Sequence, residues 1–299
     1  MTVFVLGNVT EDLVFRLDSL PMPGETLIAA DRLSDIGGKG FNQAVVLARC
    51  GQEVRLSAPV GRDEAARRAA DLARAEGIWA DLCQTDHPTD QSIIYVDAVG
   101  ENVIVSSAAA ASSMTGAEAE ATLGVGTAGD LLLMQGNLGR ETTELALRAA
   151  RKRGMTTAVN AAPIQWDFSG LWHLVDLAIV NEHELQALSG SSHVATGALL
   201  LADAGAREVL VTLGGEGAEL FRNGVVIHAP AVRTKVVDTA GAGDTFTGVF
   251  LAARLFGRND RPSLLAAATA ASLTISRRGT FSAFPSKKEL AAILGDVHA

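Results

Sequence analysis

The sequence predicts an α/β protein whose mainly parallel sheet carries helices on both faces. Two observations lead there. Short β-rich runs alternate with Ala/Leu/Arg-rich runs of helical length along most of the chain. Two further β-rich stretches break that rhythm without an intervening long helix, which predicts a second, small sheet. With 299 residues, 48% of them hydrophobic, the chain suits one large domain, 1–299, with such an appendage.

The elements follow in order. "TVFVLG" reads as a first buried strand; with no basic flank and an early Gly7 it does not resemble a secretion signal. "FNQAVVLARCG" reads as a helix closing on Gly51, "EVRLSAPVG" as a strand, and "DEAARRAADLARAEG" as a helix closing on Gly77. The alternation continues through "DLLLMQG", "TTELALRAARKRG", "TTAVNAAP", "VDLAIVN", "EHELQALSG", "ATGALLLADAGA" and "EVLVTLGG". One exception runs from Val14 to Gly38 and carries Pro21, Pro23 and Gly24. The other, Gln91 to Ala110, alternates β-formers around "VGEN" and predicts a hairpin. Strands from about 12–36 and 90–108 are expected to form a lid over the C-terminal ends of the main strands.

Composition excludes several classes. The formal charge is −9, from 25 basic and 34 acidic side chains, and no basic cluster relieves it. That argues against nucleic acid and against an anionic membrane surface. A small anionic substrate stays open, because helix N-termini bind phosphate even in an acidic protein. Cys50 and Cys83, without CxxC spacing, suggest neither a disulfide framework nor a zinc site and suit a reducing cytoplasm. The six histidines form no HxxxH or HExxH; His183 reads as a surface residue. Trp79, Trp166 and Trp172 read as packing or lid residues. No apolar stretch approaches the roughly 20 residues needed to span a bilayer.

The chemistry concentrates in "VVDTAGAGDTFTG", Val236 to Gly248. A helical pattern starts near Asp244 or Thr245 and runs to Gly257, which puts Gly241, Ala242 and Gly243 at its N-terminus. Unpaired N–H groups there favour an anion, and small side chains let a phosphate approach the backbone. A carboxylate at Asp244 competes with that anion unless it serves as a base for a hydroxyl beside the phosphate. The plainer alternative is a tight turn with Asp244 as N-cap. Neither a GxxxxGK[ST] loop nor a Rossmann fingerprint is present; the first strand leads only into Gly7.

Three companion segments each have two readings. In "IGGKGFNQAVVLARCGQEVRLSAPVG", Asn42 is either a hydroxyl-binding amide or a helix cap. In "VNEHELQALSG", Asn181 and Glu184 either hold hydrated Mg²⁺ and nucleotide phosphate or form an N-cap with a first-turn Glu. "VLVTLGGEGAELFRNG" is either a nucleotide shelf or an ordinary glycine hairpin.

Together "GGKGFNQA", "NEHE", "VTLGGEG" and "DTAGAGDTF" resemble, in order and spacing, the PfkB/ribokinase family of carbohydrate kinases across essentially the whole chain. The resemblance implies a ribokinase-like three-layer sandwich with a β-lid, and transfer of the ATP γ-phosphoryl group to a sugar hydroxyl, with ribose the leading acceptor. It implies Asp244 as catalytic base, the backbone of Gly241, Ala242 and Gly243 as anion hole, and Asp12 and Asn42 as sugar ligands. Gly38 would floor the sugar site, with Asn8 in support. Thr212, Gly214 and Gly217 would carry the nucleotide, and Asn181 with Glu184 the Mg²⁺ through water. K⁺ would sit near Asp238, Ala240, Thr274, Arg277 and Gly279, and the lid would pair into a homodimer. One departure concerns the acceptor: "MQGN" puts Asn137 where ribose-specific relatives carry a glutamate. A nucleoside acceptor and a catalytically silent sugar-binding regulator are the alternatives. Against the nucleoside, the lid segments offer mainly Phe15, Phe41 and Tyr95 for stacking.

Overall fold

The computed structural model describes residues 1–98 and 102–295. Its strands are β1 (Thr2–Leu6), β2 (Thr10–Arg16), β3 (Asp31–Gly37), β4 (Glu53–Val60), β5 (Trp79–Gln84), β6 (Asp90–Val96) and β7 (Asn102–Ser106). β8 (Leu131–Gln135), β9 (Thr156–Asn160), β10 (Leu177–Asn181), β11 (Glu208–Thr212), β12 (Ala218–Arg222) and β13 (Val225–Ala229) complete them. The helices are α1 (Lys39–Arg49), α2 (Glu64–Glu76), α3 (Ala109–Ser112), α4 (Gly116–Thr122), α5 (Arg140–Lys152), α6 (Glu182–Ser189), α7 (Val194–Asp203), α8 (Ala242–Leu255), α9 (Asp260–Ile275) and α10 (Lys287–Leu294).

Nine strands form the main sheet in the order β13-β12-β11-β10-β9-β8-β1-β4-β5. All pairings from β11 to β5 are parallel, and β12 and β13 add an antiparallel edge. Alternation along β1 shows why both faces need helices. Val3 and Val5 point into a core with α1, α2, α8 and α9, while Phe4 and Leu6 point into a second core with α4, α5 and α7. Fully burying each such side chain contributes about 1.5–3 kcal/mol. The three expected layers are therefore present.

Chain order reverses at β1: the strands run outward to β4 and β5 on one side and to β8 and its successors on the other. In an open α/β sheet this switch point, at the C-terminal ends of the strands, is where a ligand fits. Two helices converge there because Gly248 lacks a side chain. A Cβ at Gly248 would lie 2.6 Å from Val46 Cγ1, so the glycine lets α8 pack closely on α1.

The second sheet has the order β3-β2-β6-β7. β6 and β7 form the expected antiparallel hairpin, from Ser92 opposite Ser106 to Val96 opposite Asn102. Of the predicted turn, residues 99–101 lie outside the described residues. Phe15 and Tyr95 of this sheet face each other at a centroid distance of 6.0 Å. Phe41 does not belong to it, contrary to expectation: it is fully buried on α1 in the main core. Nor do the tryptophans: Trp166 and Trp172 pack with the second core, and Trp79 is 68% exposed on edge strand β5.

Candidate active site

The site begins with the turn into α8. Gly241 is the N-cap residue with φ of 73°, a left-handed conformation that favours glycine, and no side chain caps the helix. α8 starts at Ala242, earlier than the sequence pattern indicated, so Asp244 lies inside the first turn and is not the cap. The Ala242 N–H makes only a long bond to the Thr239 carbonyl, at 3.3 Å, and the helix N-terminus keeps its capacity for an anion. A Cβ on Gly241 would also strike the Phe284 ring, 2.5 Å from Cε1, whereas one on Gly243 would meet open space.

Asp244 is buried, and its two oxygens are oriented by α1. Asn42 Nδ2 donates to Oδ2 at 2.8 Å, and Gln43 Nε2 donates to Oδ1 at 2.9 Å. Asn42 is thus no helix cap; the N-cap of α1 is Gly38. Its own Oδ1 is buried without a partner, and so is Oδ1 of Asn137. Buried amide oxygens left unpaired are costly, and a hydroxylated ligand would satisfy them.

Behind Gln43 lies a network that sequence reasoning missed. Gln43 Nε2 also donates to Asn160 Oδ1 at 3.0 Å, and Gln135 Nε2 donates to Gln43 Oε1 at 2.8 Å. Gln135 and Asn160 are the final paired residues of β8 and β9. Their sequence signal is a polar residue closing an apolar strand, in "LLLMQ" and "TTAVN".

Asp12 on β2 is also buried. Burial pushes its carboxyl up to about 6, with hydrogen bonds from Thr10 and Ser92 pulling down and the charges of Asp35 and Asp244 pushing up. Thr10 Oγ1 donates to Asp12 Oδ1 at 2.7 Å. Gly37 makes room for this carboxylate: a Cβ there would stand 2.0 Å from Asp12 Oδ2. Gly38, with φ of 96°, abuts the Asn8 carbonyl, and Asn8 Oδ1 accepts from the Gly40 N–H at 3.2 Å.

The nucleotide candidates stand along the next strand ends. Asn181 and Thr212 are register partners at the ends of β10 and β11. Asn181 Oδ1 accepts from the Glu184 N–H and Glu184 Oε2 accepts from the Asn181 N–H, both at 2.8 Å, so the capping-box reading holds. The cap uses only one Glu184 oxygen. Burial raises the Glu184 carboxyl, opposed by the charge of Lys39, a residue of "GGKG" that sequence reasoning did not single out. A carboxylate and an amide at this spacing fit a hydrated Mg²⁺ that takes its other ligands from water and phosphate. Among the described residues no group of three His, Cys, Asp or Glu could hold a metal unaided. Gly214 opens a short exposed turn; Gly217 instead packs tightly, since a Cβ there would lie 2.1 Å from the Ala229 carbonyl oxygen.

The implied K⁺ set fits less well. Asp238 is buried; its Oδ1 accepts from the Ala240 N–H at 3.0 Å and its Oδ2 from the Gly279 N–H at 3.3 Å. Arg16 Nη2 lies 3.5 Å from the same Oδ2. The Thr274 carbonyl accepts from the Arg277 N–H at 3.0 Å, while the Arg277 side chain pairs with Glu289. The carboxylate that would hold K⁺ therefore already faces a cation.

Residues 2–287 match the model of the pfkB family carbohydrate kinases. The chain belongs to that family. A ribokinase of Haemophilus influenzae is 30% identical over 298 residues, covering 96% of each chain. The solved ribokinase of Thermotoga maritima superposes with a TM-score of 0.87 at 28% identity, over 99% of each chain. Arabidopsis thaliana ribokinase, solved with ribose and ATP, gives a TM-score of 0.83 at 26% identity, over 98% of each chain. This kinase is accordingly a phosphotransferase acting on a sugar hydroxyl.

Proposed function

We propose that the chain transfers the γ-phosphoryl group of ATP to ribose, forming ribose 5-phosphate. The observation that carries this reading is the placement of Asp244: two amides orient its buried carboxylate beside a helix N-terminus that no side chain caps. In the mechanism, Asp12, Asn42 and Asn137 hold the sugar over Gly38, and Asp244 accepts the proton of the attacking hydroxyl. The N–H groups at Gly241, Ala242 and Gly243 take up charge developing on the transferring group, where preorganised donors contribute most. Asn181, Thr212, Gly214 and Gly217 carry the nucleotide. Asn181 and Glu184 would hold Mg²⁺ through water, and the bound ion would neutralise charge on the phosphates. No helix among the described residues is long and apolar enough to cross a membrane, and the reading includes a cytoplasmic enzyme whose small sheet closes as a lid and pairs into a homodimer. Against a nucleoside acceptor, Phe15 and Tyr95 meet each other in a tilted contact and Phe41 is buried.

The test is ADP release with Mg-ATP over ribose, deoxyribose, fructose, 2-keto-3-deoxygluconate and several nucleosides. Ribose should turn over best, and Asp244→Asn should lower kcat by about 10²–10⁴ with the fold intact. Equal turnover by the variant would remove Asp244 from the mechanism. A different preferred acceptor would replace ribose.

A further inference from the structure

Arg16 ends β2, a strand of the small sheet, yet its guanidinium reaches a loop 222 residues further along the chain. There it lies 3.5 Å from Asp238, whose side chain is only 5% exposed, while that of Arg16 is 24% exposed. This is not an exposed surface pair of small consequence. A carboxylate this deeply buried needs a compensating charge, and removing one partner of such an ion pair is strongly destabilising.

The carboxylate sits at a structural junction. It accepts from the Ala240 N–H, on the segment entering the Gly241 N-cap, and from the Gly279 N–H, on the loop after α9. Those segments also join through the Val237 and Asp238 N–H groups, which share the Ile275 carbonyl at 2.7 and 3.2 Å. A second tie comes from β3, where burial raises the Asp35 carboxyl and the nearby backbone of Ser282 and Phe281 draws it back down. The small sheet thus holds the loop in front of α8 by a charge from β2 and the loop after α9 by a carboxyl from β3.

We propose that Arg16 is a built-in counter-cation for Asp238, so that this kinase needs no monovalent cation at the loop that shapes its anion hole. A K⁺ at Asp238 would have to displace the guanidinium or share one carboxylate with it at close range, and like charges so placed repel. Arg16 is a positioning residue: it acts on the Gly241–Gly243 backbone through Asp238 and does not touch the reacting atoms. The proposal rests on the kinase reading for its activity arm only.

The experiment compares K⁺, Na⁺ and tetramethylammonium chlorides at equal ionic strength, reading kcat/KM and, without substrates, the melting temperature. The wild type should change by less than about two-fold in kcat/KM, with a melting temperature that K⁺ does not raise relative to tetramethylammonium. Arg16→Asn in tetramethylammonium should lose at least about ten-fold in kcat/KM. K⁺ should restore activity to that variant and raise its melting temperature, while Arg16→Lys keeps partial activity in every salt. Strong K⁺ activation or K⁺ stabilisation of the wild type would overturn the proposal, as would an Arg16→Asn variant indifferent to all three cations. Were Arg16→Asn unable to fold, the wild type and Arg16→Lys would still decide the matter. Were no acceptor phosphorylated at all, the kinase reading would fail while the melting measurements still answered for Arg16.

Discussion

Gln43 donates one amide hydrogen to Asp244 Oδ1 at 2.9 Å and the other to Asn160 Oδ1 at 3.0 Å, while its carbonyl accepts from Gln135. Fully buried, it links α1, the ends of β8 and β9, and the first turn of α8. The tautomer-free amide has two donors and an acceptor, and this position uses all three functions. Asp244 is therefore held by a network of buried amides.

Gln43→Leu keeps the volume but strands a carboxylate oxygen and two amides. Each unsatisfied buried group costs about 1–3 kcal/mol. The expected outcome is a lower urea midpoint together with a kcat reduced about ten-fold and an unchanged KM for ATP. Steady-state kinetics beside urea unfolding checks this; a stability loss with unaltered kcat would make the network structural only.

Asp12 makes a prediction with a definite sign. Burial raises its carboxyl from 3.8 to about 6 in the fold, so the native state binds this proton more tightly than the unfolded chain. As pH rises from about 4 to 6, stability falls, and above that the folded state bears the full cost of a buried charge, on the order of 3 kcal/mol. Asp12→Asn should leave stability nearly unchanged near pH 3.5 and raise the melting temperature by roughly 3–6 °C near pH 7.5. The same variant should raise the sugar KM at least about ten-fold, because a neutral amide accepts hydroxyl hydrogen bonds less strongly. Melting curves from pH 3.5 to 8 for both proteins would show a gap that opens between pH 4 and 6. A gap constant with pH would contradict the assignment.

Much of this was legible in the chain. Strand and helix alternation depends on near neighbours, so the parallel sheet, the hairpin of β6 and β7 and the Gly77 stop could be read locally. The start of α8 was misjudged because Gly241 and Gly243 mask a turn whose geometry they permit. Gln43, Gln135 and Asn160 escaped notice for another reason. Their partners lie 92, 117 and 201 residues apart in sequence, and a lone polar residue beside an apolar run says nothing of what it will meet. Arg16 is the same case: its strand in the small sheet could be anticipated, but not the buried aspartate that its guanidinium would find.

Asn137 offers the test of acceptor choice. Its loop is fixed by contacts that do not involve its side chain: Gly136 N–H donates to the Ala162 carbonyl at 3.0 Å, and Trp166 Nε1 donates to the Leu138 carbonyl at 2.8 Å. A substitution at 137 should therefore change the chemistry presented to the sugar without moving the backbone. The amide Oδ1 is buried and unpartnered, so the position has an acceptor to offer. A carboxylate there accepts a hydroxyl hydrogen bond more strongly, contributing about 1.5–3 kcal/mol against about 1 for a neutral pair. Asn137→Glu should raise kcat/KM for ribose about ten-fold over its value for fructose, and Asn137→Leu, with no acceptor, should lower it by at least as much. Competition assays with both sugars in one mixture measure that ratio directly. A fall in ribose turnover on introducing glutamate would mean that the pocket is built around the amide, and that the physiological acceptor presents a different group to residue 137.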